Sequence, residues 1–321
     1  MADKYRNSLL ILSTKRCPYR CRFCAYHMDK KHILSKRPTV LQLANETKNF
    51  FEKKIKSIKK NKEIYIVNSG SFLDERQIPK GYIYWLANFL KDKDLSLALD
   101  CRADSRVNDY IDEIKMLNRI VNSLTFSIGV EAYREDIGDS IFKKLRKGIS
   151  KEQCIRQAVY LHNLGCKVKV YVIIALPWLD GPSYLKEGYR KNMDWQIETA
   201  FKTVKFAIEE MRADRIGLSP FFPYRGTNSA VPDDWVPISA IESYEIRNQL
   251  GQIFPNIQID FTSRQIHFAF GNFFRNRGLS KPINTDDYTE VLKARENVAR
   301  ICKKVFGVRG EINRKFYKNN K

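Results

Sequence analysis

Apolar, β-branched runs alternate along the chain with longer stretches whose apolar positions recur at helical spacing. The runs predict strands at 8–13 (SLLILS), 64–70 (IYIVNSG), 95–101 (LSLALDC), 123–131 (SLTFSIGVE), 167–177 (KVKVYVIIALP) and 215–222 (RIGLSPFF). The stretches between and after them predict helices at about 38–60, 79–93, 107–119, 150–165, 195–212 and 238–252. A further amphipathic helix is expected over 285–306, with Tyr288, Val291, Leu292 and Val298 on one side. Such alternation predicts a parallel sheet joined by right-handed crossovers. The strand runs are nearly continuous in apolar character, as expected where both faces of a sheet are covered. Six repeats fall short of an eightfold barrel. The expected fold is therefore α/β, a partial (β/α)6 TIM-like barrel, with a doubly wound sheet as the alternative.

After Phe222 the pattern weakens, and 257–274 mixes a short strand with aromatics. The chain divides into a barrel core over 1–235 and an extension over 236–321 that completes the barrel and ends in a basic tail. In parallel α/β folds, ligands gather at the carboxyl ends of the strands. Five distinctive segments fall at those ends: the cysteines after strand one, NSGSFLDE (68–75), DCRADSR (100–106), GVEA (129–132) and ALPW (175–178).

Length and charge refine this picture. With 321 residues, 43% of them hydrophobic, the chain suits one large domain or two ordinary ones. No run approaches the roughly 18 apolar residues of a membrane span. The N-terminus lacks the cleavage pattern of a secretory signal. A cytoplasmic protein with no membrane partner is expected. Lys and Arg total 57 against 36 Asp and Glu, a net charge of +21. That excess suits either a lysine-rich solvated surface or a polyanionic partner such as RNA.

Three of the seven cysteines, Cys17, Cys21 and Cys24, stand in a C-x3-C-x2-C array. The other four are scattered, which argues against a disulfide framework and against a zinc site built from two cysteine pairs. Iron–sulfur clusters are held by cysteine thiolates. A four-iron cluster with three protein ligands leaves one iron open to chelate an amino acid. The competing reading is a zinc or structural site with His27 as fourth ligand.

The segment Cys17-Pro18-Tyr19-Arg20-Cys21-Arg22-Phe23-Cys24 resembles the C-x3-C-x-aromatic-C signature of the radical S-adenosylmethionine (SAM) superfamily, and it follows the first strand as it does there. The resemblance implies the barrel of the radical SAM type. It also implies one 4Fe-4S cluster on Cys17, Cys21 and Cys24, with SAM on the open iron and Phe23 shielding it. By the same resemblance, Ser69 and Gly70 occupy the turn that binds the methionyl amino group. Glu131 matches the residue that contacts the ribose. Lys147 stands where a basic residue meets the methionyl carboxylate, and Ile174 to Pro177 match the segment against which adenine packs. SGSFLD and DCRADSRV, with Arg102 matching an arginine of the group, resemble the elongator-like subgroup and its archaeosine synthase radical subunit.

That subgroup implies a modified tRNA base as substrate. Arg275 and Arg277, beside Phe273 and Phe274, and the tail residues Arg309, Arg314, Lys315 and Lys318 would then meet RNA. An electron donor such as ferredoxin or flavodoxin is expected, as is an enzyme that prepares the substrate. The alternatives are a radical enzyme for a peptide or small metabolite, and a non-catalytic RNA-binding protein with a structural metal.

Overall fold

β1 (Leu9–Ile11) opens the main sheet, while β2 (Thr14–Lys15) and β3 (Ile33–Leu34) pair with each other apart from it. The main sheet continues with β4 (Glu63–Val67), β5 (Ser96–Cys101), β6 (Leu124–Glu131), β7 (Lys167–Ile174), β8 (Arg215–Pro220) and β9 (Gln258–Phe261). The computed structural model describes residues 9–24, 32–104, 107–179, 184–221, 238–261 and 285–308. All seven strands of the sheet are parallel, and their spatial order is their chain order. A doubly wound sheet reverses direction at a switch point. This one advances a single strand at each crossover and never reverses. The six strands expected from the sequence are all in it, and β9 joins beyond β8, from the segment whose pattern had weakened.

The helices are α1 (Val40–Asn61), α2 (Lys80–Leu90), α3 (Ile111–Ile120), α4 (Ser140–Lys144), α5 (Lys151–Asn163), α6 (Tyr184–Glu209), α7 (Ala240–Ile253) and α8 (Thr285–Phe306). Three of them start at reciprocal capping boxes, Thr39 with Gln42, Ser150 with Gln153 and Ser239 with Glu242. α6 begins eleven residues before the expected 195, because YLKEGYRKNMD is polar and shows no apolar period. Among the described residues, no helix is long and apolar enough to cross a membrane.

The sheet curls. Arg215, first residue of β8, donates from Nη1 to Glu63 Oε1 at 2.6 Å and from Nη2 to the Tyr65 hydroxyl at 2.9 Å. β4 and β8 are four strand steps apart. In a flat sheet that is roughly 19 Å, beyond the reach of these side chains. The contact exists because the strands wrap into an arc with β4 and β8 facing each other across a lumen.

The two faces of the arc differ chemically. Toward the helices, Leu97, Leu99, Phe126, Ile128, Val168, Val170, Val172, Ile216 and Leu218 are buried with Leu86, Ile114, Leu161 and Phe201. The positions between them carry Glu63, Tyr65, Asp100, Ser127, Lys169, Tyr171, Arg215, Ser219 and Asp260, in register across the sheet. The expectation of two apolar faces is therefore corrected. Only the helix face is apolar, and the alternation in KVKVYV and SLALDC records it. Within the lumen the Lys169 ammonium lies 5.0 Å from the ring centroids of both Tyr65 and Tyr171. The Tyr171 hydroxyl donates to Asp100 Oδ1 at 3.3 Å. Burial lowers Lys169 to a pKa of about 8 and raises Asp100 to about 6. Tyr171 fits because its neighbour in register on β8 is Gly217. A Cβ there would stand 2.7 Å from the Tyr171 ring and 2.9 Å from Lys169 Cε.

Two measurements test this arc. Arg215→Met opens the β4–β8 contact and strands Glu63, and urea unfolding is expected to show a loss of about 2 kcal/mol; an unchanged midpoint would show that closure does not depend on the pair. For Asp100, the folded pKa lies above the unfolded one. The stability it confers is thus present below pH 4 and lost as pH rises through about 6. Asp100→Asn should therefore stabilise the protein at pH 7.5, by up to about 2 kcal/mol once Lys169 has lost a neighbouring carboxylate, and give no gain at pH 4.

Candidate active site

The cysteine loop lies at the carboxyl ends of the strands. It leaves β2 at Lys15 and turns so that the Cys24 amide donates to the Cys21 carbonyl at 3.2 Å. Cys21 is buried, and Cys17 and Cys24 are half-buried. Burial pushes the Cys17 thiol up from its ordinary range. Tyr19, between Cys17 and Cys21, lies under two guanidinium groups. Arg102 Cζ is 3.4 Å from the ring centroid and Arg76 Cζ 5.7 Å. Arg22 donates its amide to the Leu145 carbonyl at 3.0 Å, which docks the loop on the turn after α4. The ring of Phe23 lies 5.5 Å from the Lys147 ammonium.

The turn after β4 is tied to the loop by one side chain that sequence reasoning missed. Gln77 Oε1 accepts from the Ser71 amide at 2.8 Å and from Asn68 Nδ2 at 3.3 Å. Gln77 Nε2 donates to the Lys15 carbonyl at 3.1 Å and to Ser69 Oγ at 3.2 Å. Ser69 Oγ also meets Thr14 Oγ1 at 3.1 Å. The Gln77 amide and the Ser69 hydroxyl, which also donates to the Lys15 carbonyl at 3.2 Å, thus join the 68–71 turn to the start of the cysteine loop. Gly70 is required by this contact, since a Cβ on it would stand 2.2 Å from Gln77 Oε1. Gln77 lies inside NSGSFLDERQIP, but nothing in its spacing distinguishes it from a surface glutamine. The turn is fixed in turn to β5. Phe72 donates its amide to the Asp100 carbonyl at 2.8 Å, and Arg102 its amide to Ser71 Oγ at 3.3 Å.

Arg102 is the hub of the site. Its Nε donates to Asp104 Oδ1 at 2.8 Å, its Nη2 to the Lys147 carbonyl, and its Nη1 to Cys21 Sγ at 3.7 Å. Burial opposes the charge, but Asp104 more than offsets this and keeps the guanidinium protonated. Glu131 ends β6 at a register shift, with φ of 65°. That turn folds its side chain back over Gly129, where a Cβ would stand 2.3 Å from Glu131 Oε1 and 3.2 Å from Lys147 Nζ. Glu131 and Lys147 form a buried ion pair. A ligand carrying both a carboxylate and hydroxyl groups has a partner of each sign here. Ala175, with φ of 63°, turns the chain at the end of β7. Ile174 is on the helix side, fully buried; Ile173 takes the lumen side, and Pro177 is buried beyond the turn. That segment packs through Trp178 on Phe221, with centroids 5.3 Å apart, and through Gln196 on the Leu176 carbonyl.

The loops after β1, β4, β5 and β6 are therefore joined by direct contacts around the cysteines, and the loop after β7 closes the same end of the arc. His27, Arg275, Arg277, Arg309, Arg314, Lys315 and Lys318 lie outside the described residues. The donor set fits an iron–sulfur cluster. It comprises three soft thiols on one eight-residue turn, with a cation beside the buried one. Among the described residues, no three His, Cys, Asp or Glu side chains are already gathered at metal-binding distances.

No family model matches the chain. The uncharacterized protein MJ0550 of Methanocaldococcus jannaschii is 28% identical over 224 residues, which cover 68% of this chain and 56% of that protein. Streptococcus suis SuiB, solved bound to the precursor peptide SuiA, superposes with a TM-score of 0.51 at 13% identity. The match covers 83% of this chain and 51% of SuiB. The radical S-adenosylmethionine methyltransferase TsrM of Kitasatospora setae matches with a TM-score of 0.46 at 14% identity, over 70% of this chain and 38% of TsrM. The chain thus spans little more than half the length of the first relative it matches, and the fold it shares with SuiB is this half-barrel.

Proposed function

We propose that this protein is a radical SAM enzyme that carries one 4Fe-4S cluster on Cys17, Cys21 and Cys24. The carrying observation is where the C-x3-C-x2-C loop stands. It lies at the carboxyl mouth of a parallel half-barrel, locked by Gln77 to the 68–71 turn. When bound, the cluster and SAM supply a 5′-deoxyadenosyl radical that abstracts a substrate hydrogen. The chain's own work is to hold and exclude. Ser69 and the 68–71 turn, held against the entry to the cysteine loop, would receive the methionyl end of SAM. Glu131 and Lys147 offer opposite charges for its hydroxyls and carboxylate. Phe23 shields the loop on the Lys147 side.

The substrate read as best fitting is a polar one, a modified tRNA base foremost, with archaeosine-type chemistry as its model. Two features support this. The lumen below the cysteines is lined by the polar side chains of Tyr65, Asp100, Lys169 and Tyr171, a wall that suits a polar substrate better than a hydrocarbon. The net charge of +21 draws the protein to phosphate backbones. A ferredoxin- or flavodoxin-type donor would reduce the cluster.

Anaerobic reconstitution with iron and sulfide, then dithionite and SAM, tests the chemistry. The wild type is expected to form 5′-deoxyadenosine. Cys21→Ala is expected to lose the cluster and all cleavage while keeping its circular dichroism spectrum. Zinc in place of iron, or product from Cys21→Ala, would sink the assignment. Bulk archaeal and bacterial tRNA added to the same assay tests the substrate. Several-fold stimulation by one pool places the substrate in RNA, and indifference to both redirects the search to peptides or metabolites.

A further inference from the structure

We propose that Arg102 sets the reduction potential of the cluster through Cys21, and that Asp104 limits how much of the arginine's charge the cluster feels. The inference rests on the radical SAM reading above. Arg102 is 8% exposed and its contacts are divided by edge. Nε and Nη2 face Asp104, at 2.8 and 3.4 Å, and Nη1 faces Cys21 Sγ at 3.7 Å. The guanidinium plane rests on Tyr19, a residue of the cysteine loop itself. The Lys147 carbonyl takes a further Nη2 proton. The cation is thus held in place from three sides, and its Nη1 donates to a thiol that reads as a cluster ligand.

The consequence is electrostatic. Reduction adds an electron to a group already surrounded by thiolates. A buried cation beside one of those thiolates stabilises the reduced form more than the oxidised one. An N–H donor on the ligand sulfur acts in the same direction. Removing the cation should make the cluster harder to reduce, and removing its counter-charge should make it easier. Arg102 is therefore a positioning and tuning residue, which distinguishes it from one that only braces the loop. A brace would alter cluster uptake and leave the potential of loaded protein where it was.

The test is an EPR-monitored redox titration of wild type, Arg102→Gln and Asp104→Asn after reconstitution, with iron counted in each. The expected order of midpoint potentials is Asp104→Asn highest, wild type between, Arg102→Gln lowest. Should Arg102→Gln fail to take up iron, Asp104→Asn decides alone, since it keeps both Arg102 and Cys21; its upward shift supports the inference. Loaded variants with wild-type potentials overturn the inference while leaving the radical SAM reading intact. Wild-type protein that takes up no cluster overturns that reading, and the inference with it.

Discussion

The contact between Arg215 and Glu63 exists only if the sheet curls, and everything else in the molecule follows from that curl. Bringing β8 opposite β4 converts one face of a parallel sheet into the wall of a lumen. The helices cover the convex face, where the aliphatic residues lie. The concave face is left to Tyr, Lys, Arg and Asp. Such groups tolerate burial because they satisfy one another: Glu63 with Arg215, Tyr171 with Asp100, Lys169 between two aromatic rings. The arc therefore has a polar inside and an apolar outside, the reverse of a soluble helical bundle.

The same curl gathers the loops. With strands in chain order, the segments after β1, β4, β5 and β6 become neighbours around one rim, and each carries a short motif. Cysteines arrive from the first, a glycine turn from the second, an arginine from the third and a carboxylate from the fourth. None of these loops is a site alone. Arg102 connects three of them, through Tyr19 and Cys21, Ser71 and the Lys147 carbonyl.

Much of this was legible in the sequence, and for physical reasons. Strands and helices announced themselves because β-branched runs and helical periods differ sharply, as in KVKVYVII against EQCIRQAVYLHN. The cysteine spacing announced its loop because three thiols so close together suit few alternatives. What stayed hidden depends on direction. Lys169 and Asp100 read as strand residues, and only curvature shows that they face a shared interior. Gln77 reads as one more polar residue, and its role depends on four partners drawn from two segments. The early start of α6 was hidden because polar stretches carry no period.

Gln77 has a consequence for how the rim becomes ordered. Its amide spans the glycine turn and the entry to the cysteine loop, so the two cannot adopt independent conformations. Whatever group settles one of them lowers the entropy still to be lost in settling the other. On the proposed function, thermodynamic reciprocity would run both ways: a ligand of the turn would tighten the hold of the thiols on a cluster by the same factor by which the cluster tightens the hold of the turn. A neutral side chain, with no charge and no reactive atom, thereby ties the conformation of one rim segment to that of another.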